Sequence, residues 1–282
     1  MKLKDKTILI TGASSGIGKA VALRSAQDGA TVILASRSEN KLNDVKSEIE
    51  KKGGRGVVIP TDVTKSDEVK NLFLKASKDN GVIDVVFNNA GLGFISNIWE
   101  MKAEEIEKII DVNVKGMILV AKYAAEIMVR QQYGHMIMTS SLAGLITVPQ
   151  WAVYVGSKWA ITGFADSIRH ELRPYTVKVS TLHPGGVRTD FFAEDKANID
   201  ISKMGDTVSP EEVAEAVYEA IFTNQKKILI PKMAKSYSFL YKYFPAAVDK
   251  MLEKQVQEIE YHENLPEDEP EFSYVKCVKC DS

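Results

Sequence analysis

Tyr154 and Lys158 stand four positions apart in Val153–Leu172, a stretch whose apolar residues recur with helical spacing, so the two side chains share one helix face. A free phenol titrates near ~10, too high for a good base at neutral pH, and an ammonium close by favours the phenolate. A tyrosine so placed can give a proton to a carbonyl oxygen or take one from an alcohol. Alone, such a pair is commonplace on surface helices. Ser141, just past the apolar run Gly134–Thr139, adds a hydroxyl that could hold a substrate oxygen. Its neighbour Ser140 competes for that role and reads equally as a serine bonded to its own loop. Hydrolysis through a serine nucleophile is the other chemistry to weigh. It needs Gly-x-Ser-x-Gly after a strand, and Thr139-Ser140-Ser141-Leu142-Ala143-Gly144 lacks the first glycine. His183, the sole histidine at a strand end, has no evident carboxylate behind it.

A second constellation lies near the N-terminus. Thr11-Gly12-Ala13-Ser14-Ser15-Gly16-Ile17-Gly18 joins an apolar strand-like run to a helical pattern. A turn of that kind aims free backbone N–H groups and the positive end of a helix at a ligand, which suits phosphate. Gly12 permits the tight turn, Gly16 and Gly18 permit close approach of backbone to a pyrophosphate, and Ser14 and Ser15 add hydroxyl donors. The spacing is Gly-x-x-x-Gly-x-Gly, not the general dinucleotide fingerprint Gly-x-Gly-x-x-Gly.

With these motifs in order, the chain resembles the short-chain dehydrogenase/reductase family over roughly Lys4 to Pro231. Thr11–Gly18 is similar to the family's glycine loop, and Asn88-Asn89-Ala90-Gly91 to the motif that follows its fourth strand. Asn113 in Asp111-Val112-Asn113-Val114, Ser141, Tyr154-x-x-x-Lys158 and Pro184-Gly185-Gly186-Val187-Arg188-Thr189 complete the pattern. The resemblance implies a catalytic set of Asn113, Ser141, Tyr154 and Lys158. Asn113 would act through a backbone carbonyl that holds a water relaying protons to Lys158. By its residues alone, Asn113 reads equally as a polar side chain satisfied inside a helix. The resemblance also implies that Asp62 meets the adenine amino group and Val63 packs on the ring, though Asp62 fits a helix cap as well. It implies that Val187 backbone meets the nicotinamide carboxamide and that the Thr189 hydroxyl positions the cofactor. Hydride transfer between nicotinamide and a ketone, aldehyde or alcohol is the expected reaction, as in a carbonyl reductase. A nucleotide-binding sensor or scaffold without turnover is the alternative, and the complete Ser141, Tyr154 and Lys158 set argues against it.

The cofactor choice turns on the end of the second strand. An acid there would bond the free 2′-hydroxyl of NAD, whereas a nearby arginine suits the 2′-phosphate of NADP. Leu34-Ala35-Ser36-Arg37-Ser38 carries no carboxylate. Arg37 offers a permanently charged planar fork, with Ser36 beside it, so NADP(H) is expected. The other reading of Arg37 is a solvated loop charge.

Seven apolar runs must hold these residues: Thr7–Thr11, Thr31–Ala35, Gly56–Pro60, Ile83–Asn88, Gly134–Thr139, Val177–His183 and Lys227–Ile230. Helical patterns lie between them at Gly16–Asp28, Glu39–Lys52, Ser66–Asp79, Ala103–Gln131, Val153–Leu172 and Pro210–Phe222. Continuously apolar strands alternating with helices predict an α/β fold: a doubly wound, Rossmann-type parallel sheet of about seven strands with helices on both faces. Ser209-Pro210-Glu211-Glu212 carries a strong helix-start signal and Ser66-Asp67-Glu68 a weaker one.

The chain has 282 residues and a formal net charge of -2, which fits one large domain, read here as 1–231, and gives no electrostatic reason for a nucleic-acid partner. Its two cysteines, the lack of an apolar run of membrane-spanning length and an N-terminus without signal-peptide layout predict a cytoplasmic protein. The candidate substrate wall is Gly93, Phe94, Leu142, Ala143, Val148, Gln150, Trp151, Phe191 and Phe192, with Asp190 to Gly205 as a substrate lid. Its apolar cast predicts a hydrophobic carbonyl or alcohol, with a sugar or polyol as the second class. Residues 232–282 form an extension, aromatic and lysine-rich to Gln257, then acidic. The first part fits packing on the body or a partner, or peripheral contact with a membrane, with Pro245 interrupting any long helix. Cys277-x-x-Cys280 is half a metal site, so no metal is expected. The resemblance implies assembly as a dimer or tetramer through the two long helices.

Overall fold

Side-chain alternation along the strands decides the layers. In β1 (Thr7–Thr11) Ile8 and Ile10 join one buried cluster while Leu9 joins another on the opposite face. The same division separates Val32 and Leu34 from Ile33 in β2 (Thr31–Ala35), and Val85 and Phe87 from Val86 in β4 (Val85–Asn88). With both faces apolar, the sheet must be covered twice. On the first face lie α1 (Gly16–Gln27), α2 (Glu39–Lys51) and α7 (Pro210–Phe222), through residues such as Val21, Leu42, Val45 and Val213. On the second lie α3 (Ser66–Asn80), α5 (Met117–Gln131) and α6 (Ala152–Leu172), through Val69, Leu72, Val120 and Ile161.

The structure is a computed structural model that describes residues 1–189, 191, 207–244, 246, 248 and 250. Asp190, Phe192 and the stretch to Gly205, Pro245, the acidic run and Cys277-x-x-Cys280 lie outside the described residues. Seven parallel strands, completed by β3 (Arg55–Val58), β5 (Gly134–Thr139), β6 (Val177–Pro184) and β7 (Lys227–Ile230), run in the order β3-β2-β1-β4-β5-β6-β7. The doubly wound sheet expected from the sequence is therefore present. The order reverses between β1 and β4, so the turns leaving those two strands diverge and open a crevice at the carboxyl edge of the sheet.

Three sequence expectations need correction. β3 ends at Val58, before the expected Pro60, which has no N–H to donate to a neighbour. β4 starts at Val85, because Asp84 turns its carboxylate on the Thr7 N–H (2.8 Å) and Lys6 Nζ (2.9 Å). The long helix over Ala103–Gln131 is divided: α4 (Ala103–Ile110) passes through a π-helical turn, Asp111–Gly116, into α5.

Helix starts follow the signals unevenly. Ser209 Oγ accepts from Glu212 N–H at 3.1 Å while Glu212 Oε2 accepts from Ser209 N–H at 2.7 Å, a reciprocal cap on α7. Ser66 does not cap α3: Lys65 holds that position, and the Ser66 hydroxyl pairs instead with the Tyr123 hydroxyl at 3.0 Å. Beyond β7, the extension is described through α8 (Ala234–Tyr243) and at a few positions on either side of it. The first residue of α8, Ala234, is fully buried, whereas Phe239, Leu240 and Tyr243 are exposed. No described helix is long and apolar enough to cross a membrane.

Candidate active site

The glycine turn is built by close approach of backbone to backbone. Gly12 has φ +66°, and a Cβ there would stand 3.0 Å from Ala90 Cα. A Cβ on Gly18 would stand 2.1 Å from the Gly12 carbonyl oxygen, so α1 can seat on β1 only with glycine at that position. Ser15 occupies the cap position of α1 without capping through its side chain, and no acid occupies the first turn. Donors at the start of α1 therefore have no internal competitor. Thr11 Oγ1 accepts from the N–H groups of Asn89 (2.9 Å) and Ala90 (3.1 Å), and Asn89 Oδ1 accepts from the Thr139 hydroxyl (3.1 Å). Asn89 thus links the ends of β1, β4 and β5.

Beyond β2, Ser36, Arg37, Ser38 and Lys41 line the crevice. Ser36 Oγ is buried and has no hydrogen-bond partner among the described residues. A buried hydroxyl left unpaired is costly, and a partner from outside the chain would offset that cost. Asp62 is no helix cap. Its Oδ1 accepts from Thr64 N–H (2.9 Å) and Thr64 hydroxyl (2.8 Å) in a local turn that keeps it on the crevice wall beside Val63. Glycine cradle, cations and orphaned hydroxyl all fit a dinucleotide.

At the other end, Ser141 leaves β5 and its Oγ accepts from Ala143 N–H at 3.1 Å. The Ser141 hydroxyl is within hydrogen-bond reach of the Tyr154 phenol. Lys158 Nζ lies 5.5 Å from the centre of the Tyr154 ring and donates to the Thr139 carbonyl at 3.2 Å. Both titrating groups are fully buried. Burial pushes the Tyr154 phenol up to about 12, with the Ser141 hydrogen bond opposing it, and pushes Lys158 down to about 8. Without a bound cofactor the phenol is thus raised rather than depressed, with burial the largest cause.

Neighbouring polar groups have structural work. Ser140 Oγ donates to the Lys158 carbonyl (2.9 Å) and pairs with Thr162 Oγ1 (3.0 Å), pinning α6 to the end of β5. His183 spans Ser141 O (2.9 Å) and Thr181 Oγ1 (2.8 Å), and burial holds it neutral with a pKa of about 4. Among the described residues no carboxylate is hydrogen-bonded to it, and both ring nitrogens are already engaged, which weighs against the hydrolase alternative. Asn113 sits fully buried in the π-helical turn, where its side chain clasps Leu92 N–H (2.9 Å), Leu92 O (2.8 Å) and Ser157 Oγ (3.1 Å). Ser157 in turn donates to Tyr154 O at 2.6 Å. The Asn113 side chain is therefore a satisfied structural clasp behind Gly91, not part of the crevice wall.

The crevice, of about 1800 Å3, collects most of the expected residues: Gly12, Ser14, Ser15, Gly16 and Ile17 with Asn89, Ala90 and Gly91 on one side, Ser141, Tyr154 and Lys158 deeper, and Pro184, Gly185, Val187 and Thr189 beyond. That exceeds the ~300–1,000 Å3 of an ordinary small-molecule pocket and leaves room for a dinucleotide and a second reactant. Gly18 lies beneath the wall. Gln150 is not on it, contrary to expectation: it has φ +67° and its carbonyl accepts from Ser96 N–H at 3.0 Å. Sequence reasoning missed Lys19, Lys41 and Met233 on the wall. Lys41 had a signal, the four-residue step from Arg37, whereas Met233 lies past the last strand with no motif around it.

The comparisons agree with this architecture. A family model described as short chain dehydrogenase matches residues 6–200, and the chain belongs to that family. An uncharacterized oxidoreductase of Staphylococcus aureus is 36% identical over 219 residues, 78% of this chain and 92% of the relative. A solved short chain dehydrogenase/reductase from Burkholderia phymatum in complex with NAD has a TM-score of 0.79 at 26% identity, covering 86% of this chain and 94% of that one. An alcohol dehydrogenase from Thermococcus sibiricus complexed with 5-hydroxy-NADP has a TM-score of 0.73 at 30% identity, covering 80% and 95%. The chain is accordingly an oxidoreductase of the short-chain dehydrogenase family with a nucleotide-binding sheet.

Proposed function

We propose that the protein is an NADP(H)-dependent oxidoreductase that interconverts a ketone or aldehyde and an alcohol, with Tyr154 as general acid/base and a hydrophobic compound as substrate. The observation that carries the reading is the placement of Ser141, Tyr154 and Lys158 in the same crevice as the glycine cradle and the Ser36–Arg37 strand end. NADPH supplies the hydride when bound. The chain does the rest. Gly12, Gly16 and the start of α1 receive the pyrophosphate. Arg37 and Lys41 bring positive charge, and Ser36 a free hydroxyl, to the side of the crevice where a 2′-phosphate would lie. Ser141 offers its hydroxyl to the substrate oxygen. The Tyr154 phenol, held protonated at neutral pH by burial, is a ready donor to a carbonyl, which favours reduction as the working direction. Lys158, deep beside the ring, is the nearest source of a replacement proton. Leu142, Ala143, Val148, Trp151 and Phe191 give the reacting end an apolar wall.

Fluorescence titration with NADPH and NADH, followed by cofactor oxidation across lipophilic and polar carbonyls with Tyr154→Phe as control, tests the proposal. NADPH-selective turnover that disappears in the variant is expected. Tight NADPH binding without turnover on any carbonyl, or on alcohols with NADP, overturns it in favour of a sensor.

A further inference from the structure

The crevice reaches past β7. Its wall continues through Pro231, Met233 and Ala234, the residues that lead into α8. Met233 also lines a second, shallower groove of about 600 Å3, whose other walls are Lys235, Ser236, Phe239 and Leu240 on α8. One side chain thus belongs to both spaces. Strand order sets the distance: β7 lies two strands from β5, or roughly 10 Å at ~4.8 Å per strand, so the groove begins close to where Ser141 leaves the sheet.

The surface of that groove is costly to leave in water. Met233 is 53% exposed and Phe239 59% exposed, and Leu240, Tyr243 and Phe244 are exposed as well. Phe239 and Tyr243, one helical turn apart, hold their rings 4.7 Å centre to centre, so the face is contiguous. Single exposed apolar residues are ordinary, but a contiguous strip running out of a reactive crevice marks a binding surface. The crevice wall next to it is apolar too, through Leu142, Val148, Trp151 and Phe191.

We propose that the crevice and the exposed face of α8 form one continuous site for a long-chain amphipathic carbonyl compound. Its carbonyl sits at Ser141 and Tyr154, and its alkyl tail leaves over Met233 and lies along Phe239 and Leu240. This rests on the oxidoreductase reading and adds the substrate class. The ten residues of α8 span roughly 15 Å, enough to cover the distal part of such a tail. Full burial of a methylene favours binding about four-fold, so a groove that covers half of each gives about two-fold per methylene, and six methylenes roughly 60-fold.

The test measures kcat/KM with NADPH for 2-alkanones of increasing chain length, in the full-length protein and in Phe239→Ser/Leu240→Ser. The ratio of long-chain to short-chain kcat/KM is expected to reach tens in the wild type and to fall at least ten-fold in the variant, with the short-chain rate and circular dichroism reporting folding. A ratio near one, or a ratio the variant leaves unchanged, overturns the site while leaving the oxidoreductase reading in place. If no carbonyl turns over, that reading fails, and the groove is judged by binding alone. Quenching of tryptophan fluorescence by the same 2-alkanones in the NADPH-bound protein must then tighten with chain length in the wild type and not in the variant, and chain-length-independent binding overturns it. Cosedimentation with phosphatidylcholine vesicles that is lost in the variant, with no chain-length preference for free substrates, assigns the face to a bilayer and likewise overturns the proposal.

Discussion

Ser36→Ala separates what the end of β2 does for folding from what it does for cofactor choice. Ser36 Oγ is buried with no partner among the described residues, so the cofactor-free protein bears its desolvation cost uncompensated. That cost is ~1–3 kcal/mol for a buried hydroxyl, and alanine removes the group while nearly keeping the shape. The variant should therefore be as stable as the wild type or more so. A gain of about 1 kcal/mol raises Tm by roughly 2–4 °C in a chain of this size. With NADPH the sign reverses. A hydrogen bond to a charged phosphate is worth ~1.5–3 kcal/mol, so the variant should bind NADPH about 10- to 150-fold more weakly. NADH carries no 2′-phosphate, and its affinity should change by less than about two-fold. Differential scanning fluorimetry without cofactor and paired NADPH and NADH titrations read the two effects. A variant less stable without cofactor would show that Ser36 already has a structural partner. Equal weakening of both nucleotides would place its hydroxyl away from the 2′-position and remove the physical basis of the NADP preference.

Other substitutions probe the remaining parts. Gly18→Ala places a methyl 2.1 Å from the Gly12 carbonyl, with backbone on both sides of the clash, and should weaken both nucleotides at least ten-fold; wild-type affinity by titration would refute the cradle. Lys158→Met should stabilise the protein at pH 7 while abolishing turnover. Burial holds the folded pKa at about 8 against 10.5 in the unfolded chain, so the unfolded state binds the extra proton between those values and wild-type stability rises with pH across that window. Urea denaturation should show the gap between variant and wild type closing from pH 8 towards 10, and a constant gap would refute it. His135 and His183, both held near 4 by burial against 6.5 unfolded, should cost the protein stability as pH falls from about 6.5 to 4, by a few kcal/mol each. The double variant His135→Asn/His183→Asn should flatten that slope, and an unchanged slope would assign the acid sensitivity elsewhere.

What the sequence revealed, and what it hid, divides along physical lines. The continuous apolar runs marked the sheet because a strand buried on both faces leaves no other pattern, and five of the seven strands begin at the expected residue. Tyr154, Lys158 and Ser141 were legible because their spacing is set by local geometry, a helix turn and a strand end. Asn113 was legible as a position but not as a contact, since its partners Leu92 and Ser157 come from two other segments. The π-helical turn was invisible because Asp111–Gly116 carries no proline, and its single glycine, Gly116, is tolerated inside a helical pattern. The rise of the Tyr154 pKa and the fall of that of Lys158 were invisible for the same kind of reason. Proximity of an ammonium can be read from a four-residue step, but the depth of burial depends on how the whole second face packs. Met233 could not be found at all, because nothing short of the strand order reveals that a residue past β7 returns to the crevice made by β1 and β4.

The π-helical turn between α4 and α5 also bears on how this chain can change over generations. Such a turn amounts to one residue more than an α-helix accommodates. Deleting one residue there would let the helix run regularly and leave everything after Gly116 close to its present phase, because the wider turn already absorbs the roughly 100° of the extra residue. Met117, Val120, Ala121, Ala124 and Met128 would stay packed into the second face. The extra residue is therefore accommodated locally, beside the clasp that Asn113 makes with Leu92 and Ser157, and a shorter descendant would disturb that clasp while its core stayed in register.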